Sequence, residues 1–277
     1  MINFRLDRFL TLYLFRHITK KQTSAGDKRI PILMYHSISD EKEKSNSYYH
    51  VNTLPAVFDA HISYLHENNY SVINLQDLEK SFDTRDPSKF IVITFDDGFY
   101  DFFTKAFPIL KKYNFSATVF LPTGFIHNER LSFKGRECLT WHEIRHLQSK
   151  GIYFGSHTVT HPQLNNLSAK EIENEIKLSK NKIEDETGRA VESFSYPFAF
   201  PEDKEFGITL RTLLKKFGYT NGVTTKIGTA NKGDDTFFQP RLPVNTADDI
   251  LFFRAKLQGA YDWLSKPQTF IKSITRK

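Results

Sequence analysis

The sequence holds a single cysteine, Cys138, in 277 residues. An intrachain disulfide is therefore excluded, and nothing in the cysteine usage points to an oxidising compartment. Cys138 reads as an inert residue. Long hydrophobic runs are missing as well. The N-terminal apolar stretch from Phe9 to Phe15, interrupted by Thr11, is too short to span a bilayer, and no small-residue cleavage site follows it. There is no fixed-period repeat and no low-complexity tract. No basic cluster interleaves with aromatic residues, so nucleic acid is not an expected partner.

What is present fits a globular α/β protein. Apolar residues make up 39%, and the length suits one α/β barrel. Most of the 26 phenylalanines and 12 tyrosines belong in a core, leaving some for a sugar-stacking floor. The net charge of +6 favours contact with anionic surfaces. Arg5, Arg8, Arg16, Lys20 and Lys21 surround the N-terminal apolar stretch. That segment reads either as an interfacial helix on an anionic leaflet or as a helix packed on the end of the main domain. Polar Thr19 to Lys28 reads as a linker, and Asp40 to Ser47 as a loop. The expected organisation is a basic amphipathic segment with linker over 1–28 and one catalytic domain over 29–277. With no signal peptide evident, the expected location is cytoplasmic, peripheral on the inner leaflet if the segment binds lipid.

Short apolar runs then alternate with helical patterns. Strands are expected at Ile30–Tyr35, Ser71–Ile73, Phe90–Phe95, Ala117–Leu121, Ile152–Gly155, Ser193–Tyr196, Gly222–Thr224 and Phe237–Gln239. Helices are expected near 53–68, 102–113, 141–149, 168–187, 204–217 and 247–262. The fourth is the clearest: Ser168 with Glu171 makes a capping box, Ile172, Ile176 and Ile183 share a face, and Gly188 ends it. This alternation implies parallel strands with crossover helices, a distorted (β/α) barrel of seven or eight strands. An open doubly wound sheet is the alternative. In a barrel, chemistry gathers at the carboxyl ends of the strands.

Two motifs meet that test. Thr94-Phe95-Asp96-Asp97-Gly98 follows the run Phe90–Ile93 directly. Adjacent carboxylates at a strand end need a cation or a shared proton to be buried together, and Gly98 permits a tight turn. The plain alternative is a turn capping the next helix, whose N-terminus Asp101 is expected to serve. His157-Thr158-Val159-Thr160-His161 likewise follows a strand, and Pro162 keeps the pair on a loop. With Asp97 it makes a two-histidine, one-carboxylate set that leaves positions open for water and substrate. His142-Glu143-Ile144-Arg145-His146 matches the zinc-protease pattern H-E-x-x-H. Trp141, Ile144 and Leu147 form the buried stripe of that helix, however, which turns both histidines toward solvent. Ser193 to Ala199 is a strand broken by Pro197, whose freed N–H groups could form an oxyanion hole.

Together these residues resemble the polysaccharide deacetylase family, carbohydrate esterase family four, from about Pro31 to about Val244. The signature T-F-D-D-G stands at Thr94–Gly98, and H-[ST]-x-x-H stands at His157–His161. Pro31-Ile32-Leu33-Met34-Tyr35-His36 and Leu139-Thr140-Trp141 look like the branch that de-N-acetylates exopolysaccharides. The resemblance implies a distorted barrel and a divalent metal, zinc by default with iron, cobalt or nickel also suited. It implies Asp97, His157 and His161 as ligands, Asp96 as general base, and an oxyanion site around Tyr196, Pro197 and the Phe198 N–H. An N-acetylated glycan is the implied substrate. Two departures stand out. The third motif's arginine is replaced by Ser195, and Arg241 reads as its substitute or as a surface arginine. The late histidine that serves as general acid is absent, and His36 reads as its replacement or as a structural histidine. These losses also admit a non-catalytic glycan-binding protein on a deacetylase scaffold.

Overall fold

The computed structural model describes residues 5–22, 28–41, 43, 48, 50–84, 86–198 and 203–268. Much of the expected linker, most of the expected loop at Asp40–Ser47, and Ala199 lie outside the described residues.

Eight parallel strands carry the fold: β1 (Ile32–Tyr35), β2 (Ser71–Val72), β3 (Phe90–Phe95), β4 (Thr118–Leu121), β5 (Tyr153–Ser156), β6 (Ser193–Ser195), β7 (Asn221–Ile227) and β8 (Gln239–Pro243). Seven close into a barrel in the order β1-β8-β7-β6-β5-β4-β3, because β3 pairs back onto β1 from Val92 opposite Ile32 to Phe95 opposite Tyr35. The eighth, β2, only flanks the start of β3. Closure leaves seven barrel strands and rules out the open sheet.

Alternation along each strand sorts residues into two layers. Leu33, Tyr35, Ile93, Phe95, Val119 and Leu121 join the large core beneath the helices. Ile32, Val92, Phe120 and Val223 form a second cluster, which fills the barrel and is continued by Leu75, Leu78 and Phe82. Gly155 belongs to the inner set. A Cβ there would come within 2.5 Å of the Phe120 ring, so only glycine lets that ring fill the barrel. Continuing the alternation past the strand ends points His36, Asp96 and His157 inward.

The principal helices are α1 (residues 6–22), α2 (Pro55–Glu67), α3 (residues 102–112), α4 (Trp141–Ser149), α5 (Ala169–Thr187), α6 (Lys204–Lys216) and α7 (Ile250–Leu257). In α5 the capping box of Ser168 with Glu171 forms, Ile172, Ile176 and Ile183 are buried, and Gly188 ends the helix at φ +66°. Asp101 makes no cap at the start of α3. Its carboxylate instead accepts the Ser37 hydroxyl.

α1 packs on the barrel domain rather than standing apart from it. Leu12 joins the main core, Phe15 stacks on Trp263 at 4.7 Å, and Arg5 pairs with Asp248 at 3.3 Å. Its other face exposes Leu6, Phe9, Tyr13, Leu14 and Ile18. No described helix is long and apolar enough to cross a membrane.

The last strand departs from expectation. The strand is expected at Phe237–Gln239, yet β8 begins at Gln239 and runs through Pro240 to Pro243. The ladder between β7 and β8 is irregular between its pairs Val223–Gln239 and Ile227–Arg241, so Pro240 falls where no regular donor is required. Arg241 therefore lies within a strand, fully buried, and is not a surface arginine.

Candidate metal and catalytic site

Asp96 and Asp97 follow β3, His157 follows β5 and His36 follows β1, all at the carboxyl end of the barrel. Asp97 takes a left-handed conformation at φ +71°, and Gly98 follows at +59°. This turn separates the two carboxylates, which face different partners.

Asp97, His157 and His161 are all buried, and one ligand atom of each lies within 4.8 Å of the others. It is the one such group among the described residues. Nε2 of His161 lies 3.3 Å from Asp97 Oδ1, and Nε2 of His157 lies 3.6 Å from it. His157 donates from Nδ1 to the Ser195 carbonyl at 2.8 Å. That bond fixes its tautomer and turns the Nε2 lone pair toward Asp97, the arrangement of a metal-ligating histidine. Burial pulls the His157 pKa down to about 4, although Asp96 opposes this, so the ring stands neutral as a ligand must. Burial would raise the Asp97 carboxyl, but His161, His36, His157 and Lys134 together hold it well below the usual range. The donor set and its hydrogen bonding fit a divalent metal.

The loop carrying the histidines is clamped from outside. Thr158 and His161 both have positive φ, at 68° and 56°. The Glu175 carboxylate on α5 accepts the N–H groups of Val159 (2.6 Å) and Thr160 (2.9 Å), and the Thr160 hydroxyl at 2.7 Å. On the other side, Thr123 and Gly124 donate to the carbonyls of Thr158 and Val159. Such left-handed residues persist only where surrounding bonds over-determine them.

Asp96 faces Arg241. The guanidinium donates to both carboxylate oxygens, at 2.8 and 2.7 Å, and also to Thr94 Oγ1 (3.1 Å) and the Thr224 carbonyl (2.9 Å). The Ser195 hydroxyl donates to Asp96 at 3.3 Å and accepts from Arg241 at 3.1 Å. Burial pushes the Asp96 pKa up, yet the charge and hydrogen bonds of Arg241, with His157 and His36, together outweigh it and bring the group down to about 2. Asp96 is thus an ionised, fixed carboxylate beside the Asp97–His157–His161 group.

His36 is half-buried. Burial lowers its pKa, against the pull of Asp96 and Asp97. Phe198 has φ +57°, with its ring 4.8 Å from that of His161. Its N–H has no acceptor among the described residues. Pro197 is buried just before it. Tyr196 is different: its ring packs on Phe194 (5.0 Å) and Phe238 (5.6 Å), in the layer beneath the helices and away from the carboxylates.

The zinc-protease arrangement is not built. His142 and His146 are exposed, while Glu143 is buried, closing the α4 capping box and pairing with Arg130 at 2.6 Å. Cys138 is buried, with its thiol pushed up to about 12 by burial. Three contributors escape a reading of the sequence: Glu175, the Ser195 hydroxyl and Lys134. Of these, only the dipeptide Lys134-Gly135 carries a local signal, that of a turn.

Comparison with known proteins agrees with this geometry. The family model for polysaccharide deacetylase matches residues 83–222. YxkH of Bacillus subtilis is 31% identical over 219 residues, covering 78% of this chain and 72% of that protein. The poly-β-1,6-N-acetyl-D-glucosamine N-deacetylase of Escherichia coli K12 is 24% identical over 237 residues, covering 72% of this chain. This chain spans 34% of that longer protein. Among solved structures, the deacetylase PplD of Streptococcus pyogenes, in complex with acetate, superposes with a TM-score of 0.72. It is 24% identical, with 83% of this chain and 99% of that one covered, and so shares the fold. The matched region runs through both motifs and ends within β7, and on that match the chain belongs to the polysaccharide deacetylase family, metal-dependent hydrolases that remove N-acetyl groups from polysaccharides.

Proposed function

We propose that this protein de-N-acetylates an N-acetylglucosamine-containing polysaccharide or glycan precursor. Asp97, His157 and His161 would hold the divalent metal, zinc by default, with iron, cobalt or nickel suited to the same donors. When bound, such an ion polarises the acetyl carbonyl and lowers the pKa of water from about 15.7 toward about 7.

The protein's own groups do the rest. Asp96, ionised and locked by the Arg241 fork, takes the proton of the attacking water. Arg241 keeps Asp96 from turning toward the metal ligands. The Phe198 N–H donates to the acetyl oxygen as negative charge develops on it. His36, neutral at rest, takes up a proton from solvent as that charge builds and hands it to the departing amine, and Asp96 returns the water proton to solvent.

The observation that carries this reading is the Asp96–Arg241 pair beside the Asp97–His157–His161 group. A glycan-binding protein without turnover needs no carboxylate held ionised beside three metal donors. The substrate class draws support from the named activity of the E. coli relative. Acetate release measured over oligomers of β-1,6-linked and β-1,4-linked N-acetylglucosamine and a lipid-linked N-acetylglucosamine tests it. Release from at least one, dependent on added metal, is the expected result. Release from none by metal-loaded protein would contradict the proposal.

A further inference from the structure

A short antiparallel hairpin, Ser132–Phe133 with Arg136–Glu137, stands over the site. It turns through Lys134 and Gly135, whose φ values of 51° and 77° are those of a two-residue primed turn. Glycine or asparagine suits the first of these positions better than lysine does. The hairpin is pinned on both sides. Phe133 packs against Phe125 (4.3 Å) and His161 (5.1 Å). Arg136 donates to Ser37 Oγ at 2.8 Å and pairs with Glu41 at 3.0 Å.

The turn thereby delivers the Lys134 ammonium into the metal-ligand group. Nζ lies 3.2 Å and 3.5 Å from the two oxygens of Asp97 and 3.4 Å from Nε2 of His161. Asp97 is 2% exposed, whereas the Lys134 side chain is 44% exposed. The carboxylate is therefore fixed and buried, while the ammonium sits on a flexible stem that opens to solvent.

We infer that Lys134 is an intramolecular counter-cation that competes with the metal for Asp97 and His161, so that metal uptake displaces its side chain toward solvent. The inference rests on the metal role proposed above for Asp97, His157 and His161. In metal-free protein, Lys134 neutralises a carboxylate that burial would otherwise leave exposed to the full cost of its charge. In metal-bound protein that service is redundant, and two cations cannot share the same oxygens. Lys134 therefore stabilises the metal-free form and weakens metal binding by the same factor.

The test uses the full chain, stripped of metal and titrated with zinc against a chromophoric chelator. Wild type is compared with Lys134→Gln, with Lys134→Gly, which suits the left-handed turn, and with Lys170→Gln, an exposed lysine on α5, as control. Both Lys134 variants should bind zinc about three- to tenfold more tightly than wild type and the control. Lys134→Gln should also melt lower without zinc, and both variants should show a larger zinc-induced rise in Tm than wild type. Zinc affinity equal to wild type in both Lys134 variants would overturn the exchange while leaving the metal centre standing. Failure of all four proteins to bind zinc would overturn the metal centre and this inference together.

Discussion

Arg241 and Asp96 meet through two parallel hydrogen bonds, although 145 residues separate them in the chain. Both side chains are buried, at 0% and 2% exposure. Removing one partner of such a pair leaves the other as an uncompensated buried charge, which costs about 3–5 kcal/mol. Arg241→Met should lower stability by an amount of that order in urea unfolding. Asp96→Asn added to Arg241→Met should recover much of the loss. Stability of Arg241→Met equal to wild type would mean that the pair does not hold the site.

His36 gives a second prediction. Proposed as the group that protonates the leaving amine, it should cost about 10²–10⁴-fold in kcat when replaced by glutamine. KM and metal content should change little. A His36→Gln variant that keeps wild-type kcat would reduce His36 to a structural residue.

Glu175 gives a third. Its carboxylate bonds to none of the Asp97, His157 and His161 side chains, yet it binds two N–H groups of the loop between His157 and His161. Glu175→Ala should weaken metal binding about 10–100-fold, as loss of an outer support does, and Glu175→Gln should restore part of it. Unchanged metal affinity in Glu175→Ala would show that the loop holds its shape unaided.

A fourth concerns pH and lies away from the candidate site. His61 is buried between α2 and α7, with its ring stacked on Phe253 at 4.1 Å. Nε2–H donates to the Asp248 carbonyl at 2.6 Å, and Nδ1 accepts the Tyr35 hydroxyl at 3.1 Å. Burial lowers its pKa to about 4, despite the opposing Asp248 bond. The unfolded chain, with a histidine pKa of about 6.5, therefore binds the proton first. Stability from this group is fully present above about pH 6.5 and is lost as pH falls toward about 4, by up to about 3 kcal/mol. His61→Gln should be less stable at pH 7 and show a shallower loss between pH 6.5 and 4.5. Parallel stability curves for the two proteins would contradict the assignment.

The uneven legibility of the sequence has physical reasons. Thr94–Gly98 and His157–His161 stand out because each follows an apolar strand, and a barrel brings strand ends together whatever lies between them. The α5 capping box and the buried stripe of Trp141, Ile144 and Leu147 are local patterns, and both form as read. Arg241 is harder. Its strand contains Pro240 and Pro243, and only the irregular ladder to β7 explains why they are tolerated there. Asp101 follows the local rule for a helix start but is drawn to Ser37 instead. Glu175 is one acidic residue among several on a charged helix, and its partners become visible only when α5 lies against the loop. Lys134 sits on a turn whose position over the site depends on the packing of Phe133 and Arg136.

The central claim is that Asp96, beside a metal held by Asp97, His157 and His161, drives hydrolysis of an N-acetyl group. It is tested most directly by measuring acetate release and bound metal on the same samples of wild type, Asp96→Asn and His157→Ala. Wild type should bind about one metal ion per chain and release acetate from an N-acetylglucosamine oligomer. Asp96→Asn should keep the metal and lose turnover, and His157→Ala should lose both. Turnover near the wild-type rate in Asp96→Asn would contradict the account.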